Sequence, residues 1–194
     1  KQAEAEAKNA FGDERLYGEQ YIKAARHIEI QILGDGKGGI THLWERDCSL
    51  QRRHQKIIEF APAPCLESSL REKLLGSALK MAQSIDYKGV GTFEFLINSE
   101  DDSYYFIEAN ARLQVEHTVT EVITGQDLVG LQLRIAEGAT LAHLALTDAP
   151  KITGVAVQMR VNAEEIDDSG NVVPKGGILA QFEPSAGPGI RIDT

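Results

Sequence analysis

Cysteines and long apolar runs are scarce in this sequence, and each scarcity excludes a class of protein. The 194 residues include only two cysteines, Cys48 and Cys65, which are too few for a disulfide-rich domain and too poorly spaced for a zinc site. A reducing compartment is therefore favoured. No stretch approaches the roughly 18 consecutive apolar residues of a membrane-spanning helix. The hydrophobic fraction of 42% still suffices for a core and excludes a disordered tail.

Positive charge is also in short supply. Lys and Arg number 20 against 29 Asp and Glu, for a formal net charge of -9, which is the wrong sign for a general nucleic-acid-binding protein. An anionic partner would need a local basic patch. The segment from Arg46 to Lys56 offers one, because its four Lys and Arg residues are opposed by a single acid, Asp47.

Hydrophobic periodicity predicts an α+β fold in which antiparallel pairing is prominent. Helices are expected over residues 1–11, from Ser68 or Ser69 with Glu72 completing a capping box, and over 127–137 with a cap at Thr124. Strands are expected over 27–33, 40–45, 91–97, 104–110 and 155–162. The stretch 34–39 formally matches a glycine-rich dinucleotide fingerprint, but a β-like run follows it instead of a helix. We therefore interpret it as a hairpin turn.

Both ends of the sequence suggest an excerpt of a larger chain. Residues 1–10 are typical of a helix already under way, and residues 189–194 stop inside a strand-like alternation. Near this second end, alternation over 155–162 creates an apolar face that we expect to be buried, formed by Val155, Val157, Met159 and Val161.

The hairpin of strands 91–97 and 104–110 carries the most informative pair of acids. A loop centred near Asp101 places Glu94 opposite Glu108, and Asn110 shares the face of Glu108. Two carboxylates about 5 Å apart would repel each other by roughly 3 kcal/mol at an effective dielectric constant of about 20. A cation is therefore expected between them, and these hard oxygen ligands suit Mg²⁺ or Mn²⁺. The alternatives are an exposed pair neutralised by Lys or Arg, or a register slipped by a bulge.

Two further groups of polar residues could bind an anion. Continued alternation after Asn110 would put Arg112, Gln114 and Glu116 on one face, where a guanidinium could hold a planar oxyanion and a carboxylate could act as a general base. The alternative is an Arg112–Glu116 ion pair on a solvated strand.

The second group is the basic segment 46–56, which we interpret as a loop that binds a polyphosphate. It could instead be a solvated loop facing the acids of a partner protein. His27 is either a ligand-facing strand residue or an ordinary exposed histidine.

Three motifs, 45–56, 91–95 and 106–117, together resemble the biotin carboxylase family of ATP-grasp enzymes. The resemblance covers nearly the whole chain. It implies that residues 1–150 are the C-terminal part of an ATP-grasp domain, with an antiparallel sheet and helices, and that residues 151–194 begin the C-terminal domain of a biotin carboxylase.

The resemblance implies a ligase in which ATP phosphorylates bicarbonate and the resulting carboxyphosphate supplies CO₂ to biotin. The cofactors would be ATP, two Mg²⁺ or Mn²⁺ ions and biotin on a carrier domain. The partners would be bicarbonate, the carrier domain and a carboxyltransferase, within an oligomeric parent protein. Neither nucleic acid nor a membrane is expected as a partner. We expect an acyl-CoA acceptor, as in fatty acid metabolism, with pyruvate and urea as the alternatives. We expect a cytoplasmic location, with the mitochondrial matrix as the alternative.

The family's functional residues map onto this sequence in four groups. By resemblance, the metal ligands are Glu94, Glu108 and Asn110. The bicarbonate site comprises Lys56, Arg112, Gln114 and Val115, with Glu116 as the base. Arg160 would contact bicarbonate and stabilise the biotin enolate. The nucleotide contacts would be Glu19, Gln20, Tyr21, Ile22, His27, Gln51 and His54.

Departures from the family keep two other functions open. Gln20 stands where lysine is frequent, and the family's first domain, two ATP-binding lysines and glycine-rich lid all lie upstream of the position of Lys1. We therefore expect the isolated fragment to be inactive. The alternatives are another ATP-grasp ligase with an amine acceptor, or a catalytically silent interaction module.

Overall fold

Six antiparallel strands form the central sheet of this protein. The computed structural model describes residues 1–193, which divide into one compact unit from Lys1 to Met159 and a second that starts at Arg160. The sheet has the order β5-β4-β1-β2-β3-β6. Its strands are β1 (Ala25–Asp35), β2 (Ile40–Arg52), β3 (Gln55–Ala61), β4 (Lys88–Asn98), β5 (Tyr104–Asn110) and β6 (Ala156–Met159). The predicted α+β fold with an antiparallel sheet is confirmed.

Four helices accompany these strands in the first unit. They are α1 (Gln2–Phe11), α2 (Ser68–Ser84), α3 (His117–Thr124) and α4 (Leu128–Ala136). The second unit contains a small antiparallel ladder of β7 (Glu164–Ile166) and β8 (Val172–Pro174). Among residues 1–193, no helix is both long enough and apolar enough to cross a lipid bilayer.

Alternating residues of strand β1 make one side of the sheet apolar and the other largely polar. Ile28, Ile30 and Ile32 point to one side, where they join a core with the apolar face of α2. Each such fully buried side chain contributes roughly 1.5–3 kcal/mol of hydrophobic free energy. The intervening residues of β1 point to the other side, where Leu33 packs with apolar residues of α4. His27, Glu29 and Gln31 share this second side, which is polar along most of the strand.

Hairpin turns place the polar residues of neighbouring strands side by side. The stretch 34–39 is the turn between β1 and β2, as predicted, and Glu29 pairs with Arg46 across these strands. Glu29 also pairs with Glu94 on the opposite neighbour β4. Three strands therefore bring Glu94, Glu29 and Arg46 into one row across the sheet.

Both predicted helix caps are wrong. Helix α2 is capped by Glu67, whose side chain accepts hydrogen bonds from the N–H groups of Ser69 and Leu70. Helix α4 is capped by Asp127, which accepts from Gly130 N, and not by Thr124. In both cases the carboxylate directly preceding the helix reaches its unpaired N–H groups and interacts favourably with the helix dipole.

Three further predictions about local structure are wrong. Strand β5 ends at Asn110, and the expected alternation through residue 117 is replaced by a loop that leads into α3. The basic segment 46–56 is not a loop but the end of β2, a tight turn and the start of β3. The apolar face expected to be buried is exposed, with 77% of Val155, 55% of Val157, 69% of Met159 and 95% of Val161 accessible. Alternation predicts which side chains share one face of a strand, but it does not predict whether another element packs against that face.

Candidate active site

A lysine surrounded by three buried carboxylates forms the centre of the polar side of the sheet. Lys56, at the start of β3, donates to Glu29 Oε2 at 2.5 Å, to Glu116 Oε1 at 2.7 Å and to Glu94 Oε2 at 3.2 Å. Burial alone would lower the pKa of Lys56, but the negative charges of Glu29 and Glu116 hold it well above its ordinary value. The ammonium group is therefore a permanent cation within an acidic cluster.

Five side chains contact the carboxylate of Glu94. Its Oε1 accepts from Asn110 Nδ2 and Gln114 Nε2, both at 2.7 Å, and from Thr92 at 3.2 Å. Its Oε2 interacts with His27 Nε2 at 2.6 Å and with Lys56. Burial raises the pKa of Glu94, but the contacts with His27, Lys56 and Gln114 lower it by a larger amount, so the pKa lies well below its ordinary value. Glu94 is therefore ionised at neutral pH.

The predicted opposition of Glu94 and Glu108 is confirmed. The two residues pair directly across β4 and β5, and the register shift lies beyond them, between Glu94 and Phe95. The alternative of a slipped register is therefore wrong at this position. The other alternative, an exposed pair neutralised by Lys or Arg, is wrong for the exposure of Glu94, which is buried, although Lys56 does contact this carboxylate.

Asn110 links the two opposed carboxylates. Its Nδ2 donates to Glu94 Oε1 at 2.7 Å and to Glu108 Oε1 at 3.0 Å. Glu108 is exposed, whereas Glu94 is fully buried. Two carboxylates and an amide oxygen are hard ligands of the kind that Mg²⁺ and Mn²⁺ prefer, and the exposed side leaves room for further oxygen ligands. The residues present therefore fit a divalent metal ion.

Glu116 contacts Lys56 by a route that strand alternation did not predict. It lies at the N-terminal end of α3, and its side chain is 3% exposed. Burial raises its pKa, but the neighbouring Lys56 and Arg46 lower it below the ordinary value overall. Arg112 is exposed and donates to the carbonyl of Leu113 at 3.2 Å. The structure therefore gives Glu116 a lysine partner in place of the Arg112–Glu116 pair that was the alternative.

The histidine and glutamine predicted to contact nucleotide are connected to Glu94. His27 has 13% of its side chain exposed, so it is not an ordinary exposed histidine. Gln51 Nε2 donates to His27 Nδ1 at 2.8 Å, which leaves His27 Nε2–H to donate to Glu94. Gln51 therefore fixes the orientation of the imidazole.

His54 is presented by a strained turn. Arg53 and His54 connect β2 to β3 with φ angles of 51° and 63°. These angles lie in the left-handed region that residues other than Gly, Asn, Asp and His rarely adopt, so the strain falls on Arg53. Both side chains are exposed. The turn therefore exposes the guanidinium of Arg53 and the imidazole of His54 to solvent, between Gln51 and Lys56 in the sequence.

The remaining predicted residues belong to other parts of the chain, apart from Val115, which directly precedes Glu116. Glu19, Gln20, Tyr21 and Ile22 belong to an irregular segment between α1 and β1. Val115 is 60% exposed in the loop before α3. Arg160 opens the second compact unit.

Sequence reasoning missed the internal roles of two residues, Glu29 and Arg46. Both are fully buried. Glu29 shares the alternating polar face of β1 with His27 and Gln31. Only the position of a cation opposite Glu29 on the partner strand would have indicated that Glu29 is buried in an ion pair. That pairing depends on the register between β1 and β2, which local periodicity does not determine.

Comparison with known proteins identifies the family of this chain. Residues 1–144 match the family described as the carbamoyl-phosphate synthase L chain, ATP-binding domain. The chain belongs to this family. Relatives and solved structures also confirm the resemblance to ATP-grasp biotin carboxylases that the three sequence motifs indicated.

Pyruvate carboxylase 1 of Caenorhabditis elegans is 51% identical over 191 residues, which cover 98% of this chain and 16% of the relative. The biotin carboxylase of Nostoc is 48% identical over 193 residues, covering 99% of this chain and 42% of the relative. The biotin carboxylase of Campylobacter jejuni, solved as a beta-gamma-ATP complex, superimposes with a TM-score of 0.85 at 43% identity, covering 96% of this chain and 40% of that one. This biotin carboxylase segment therefore spans less than half the length of these relatives.

Proposed function

We propose that the protein containing this segment carboxylates biotin with bicarbonate, using ATP and a carboxyphosphate intermediate. The observation that carries the proposal is the contact between Lys56 and Glu116 beside the opposed acids Glu94 and Glu108. This arrangement combines a cation and a base for bicarbonate with hard ligands for a metal that accompanies ATP. The biotin carboxylase relatives support the assignment.

Bicarbonate would bind where Lys56 and Glu116 now contact each other. Lys56 would move its hydrogen bond from Glu116 to the anion, with Arg112, Gln114 and the backbone near Val115 as further donors. Loss of the lysine contact raises the basicity of Glu116, because that contact is a main reason for its lowered pKa. Glu116 would then take the proton of bicarbonate, which frees its oxygen to attack the γ-phosphate of ATP.

Glu94, Glu108 and Asn110 would hold Mg²⁺ or Mn²⁺. A divalent ion there would neutralise phosphate charge and align the triphosphate for transfer. Asn110 now presents Nδ2 to both carboxylates. Its amide would have to turn so that Oδ1 faces the ion, because only the oxygen is a ligand.

The other parts of the proposal concern the nucleotide, biotin and the larger protein. Glu19, Gln20, Tyr21, Ile22, His27, Gln51 and His54 would contact the nucleotide, and Arg160 would stabilise the biotin enolate. We place the boundary between the ATP-grasp domain and the domain that follows it near residue 150. The parent protein would be oligomeric and would work with a carrier domain and a carboxyltransferase. We also propose a reducing location, the cytoplasm or the mitochondrial matrix.

The carboxyl acceptor is the least supported part of the assignment. The sequence Val161-Asn162-Ala163-Glu164 is the only basis for expecting an acyl-CoA acceptor, whereas a relative 51% identical to this chain is a pyruvate carboxylase. Pyruvate is therefore a second candidate. Assays of the parent protein with acetyl-CoA, propionyl-CoA and pyruvate would separate the two, since only the true acceptor should become carboxylated.

The decisive experiment is ATP cleavage by the parent protein in the presence and absence of bicarbonate and biotin. We expect cleavage to need both, and Glu116→Gln to abolish it while nucleotide binding is preserved, since the amide cannot accept the proton. Undiminished turnover in this variant would remove Glu116 from the mechanism. Product formation with ammonia or amino acids instead of biotin would favour the amine-ligase alternative.

The isolated fragment offers a separate test. Calorimetry should show weak binding of MgATP and no turnover, because the lysines and glycine-rich lid expected upstream are absent from it. Tight binding would contradict this account of what the remainder of the protein supplies.

A further inference from the structure

Arg46 lies behind the site and belongs to none of the proposed metal, bicarbonate or nucleotide contacts. It is the largest fully buried side chain of the described residues, with no accessible surface. A buried guanidinium is costly unless each donor finds a partner. Its environment therefore shows what it organises.

Four acceptors surround this guanidinium, and they come from three parts of the chain. Nε donates to Glu29 Oε1. Nη1 donates to Gln31 Oε1 and to Thr120 Oγ1, both at 2.8 Å, and Nη2 donates to Gln114 Oε1 at 3.2 Å. Arg46 thereby ties strand β1 to helix α3 and to the loop that precedes it.

Two of these contacts determine how site residues face bicarbonate. Because Arg46 holds Oε1 of Glu29, the other oxygen, Oε2, remains for Lys56. Because Arg46 holds Oε1 of Gln114, the amide nitrogen points to Glu94. A reversed amide would direct N–H groups at a guanidinium that can only donate.

We propose that Arg46 is a positioning residue that orients Lys56 through Glu29 and orients the amide of Gln114 directly. The proposal rests on the proposed function, in which Lys56 and Gln114 contact bicarbonate. Glu94 also contacts Lys56 and Gln114, but its hydrogen bonds with Asn110, Thr92 and His27 do not involve Arg46 and should persist when Arg46 is changed. Loss of Arg46 should therefore impair the use of bicarbonate more than the binding of metal and nucleotide.

The test compares Arg46→Lys and Arg46→Met in the full parent protein. Lysine keeps the charge but lacks the planar fork that reaches four acceptors. We expect Arg46→Lys to lower kcat/KM for bicarbonate by about tenfold to a hundredfold, the usual cost of losing a partner that orients a ligand. The KM for ATP, and the affinity for MnATP by calorimetry, should change by no more than about twofold. Arg46→Met should impair the use of bicarbonate at least as strongly.

Arg71 supplies the matched control. Its Nε donates to Glu45 at 2.8 Å, and Glu45 is fully buried, so Arg71→Lys and Arg71→Met also disturb a buried carboxylate. These variants should lower thermal stability without a selective loss of bicarbonate use.

Three results would overturn the proposal. The first is that Arg46→Lys lowers kcat/KM for bicarbonate no more than Arg71→Lys does. The second is that the KM for ATP rises in Arg46→Lys by as large a factor as kcat/KM for bicarbonate falls. A third is that neither Arg46 variant folds while both Arg71 variants do, which would make Arg46 a folding residue only. A wild-type parent without bicarbonate-dependent ATP cleavage would overturn the proposed function itself, and this inference with it.

Discussion

Replacing Lys56 with methionine should destabilise this chain strongly at neutral pH. The variant keeps most of the side-chain volume but removes the cation from three carboxylates at 2.5, 2.7 and 3.2 Å. At these distances each pair attracts by roughly 5–7 kcal/mol at an effective dielectric constant of about 20. Desolvation of the four groups offsets most of this attraction.

The net cost should resemble that of breaking other buried ion pairs, about 3–5 kcal/mol at pH 7.5. The relevant side chains are nearly inaccessible, at 14% for Lys56, 0% for Glu29 and Glu94 and 3% for Glu116, so solvent screening is weak. Urea unfolding followed by the fluorescence of Trp44, the single tryptophan, would measure the difference in free energy of unfolding.

The pH dependence supplies the sign of the effect. The raised pKa of Lys56 stabilises the fold at all pH values below the ordinary lysine pKa. The lowered pKa values of Glu94 and Glu116 stabilise it above the ordinary carboxyl pKa, and this contribution is lost as the pH falls. In Lys56→Met these carboxylates can relieve their repulsion by binding protons, so the difference from wild type should shrink between about pH 6 and pH 4.

Lys37→Met is the control for this experiment. Lys37 donates to the carbonyl of Gly138 at 2.9 Å at an exposed position, so its loss should cost less than about 1 kcal/mol at any pH. A cost for Lys56→Met below about 1 kcal/mol, or one that does not vary with pH, would refute the view of Lys56 as the neutralising cation of a buried acidic cluster.

Three other changes test separate features of the fold. Burial lowers the pKa of His42 to about 4 from 6.5, so this residue alone should cost wild type about 3 kcal/mol of stability as the pH falls from 7 to 4, and urea titrations at each pH should show that His42→Gln loses less stability than wild type by about this amount. Glu67→Ala should cost about 1 kcal/mol in thermal unfolding because it removes the cap of α2, whereas Glu72→Ala should be nearly neutral, and equal costs would contradict the observed cap. Arg53→Asn should stabilise the chain by about 1 kcal/mol, because asparagine tolerates the left-handed φ of 51°; a lower urea midpoint would show that Arg53 makes a compensating contact.

Local features of the fold could be predicted because their causes are local. The opposition of Glu94 and Glu108 follows from counting residues on each side of one short turn, and the structure has this register. The turn at 34–39 could be recognised because a β-like run follows it. In both cases chain neighbours alone determine which residues meet.

Helix α3 was missed because its entry contains a misleading pattern. The alternation from Asn110 to Glu116 is typical of a strand. However, Val119, Val122 and Ile123 recur at intervals of three and four, and Val119 and Ile123 are buried on one face of the helix. The helical signal was present but began too late to explain how Glu116 reaches Lys56.

The network of Glu29, Arg46 and Lys56 could not be predicted, since it depends on strand register across the sheet. Glu29 meets Arg46 only because β1 and β2 pair as they do, with a bulge between Ile30 and Ile32. Charge counting suggested instead that segment 46–56 is a loop that binds a polyphosphate. Burial of a charged residue is decided by such tertiary partners, and composition does not reveal them.

The same network changes how the basic segment can serve an anionic substrate. Arg46 is committed to Glu29, and Lys56 is shared by Glu29, Glu94 and Glu116, so two of the segment's cations neutralise internal acids. The three carboxylates exceed these two cations by one negative charge, and exposed Glu108 adds another. Under the proposed function, such a site would repel ATP and bicarbonate until a divalent ion binds at Glu94 and Glu108 or Lys56 changes partners. Metal binding should therefore come before, or together with, binding of the triphosphate, because the acidity of the site would make a metal necessary for the proposed reaction.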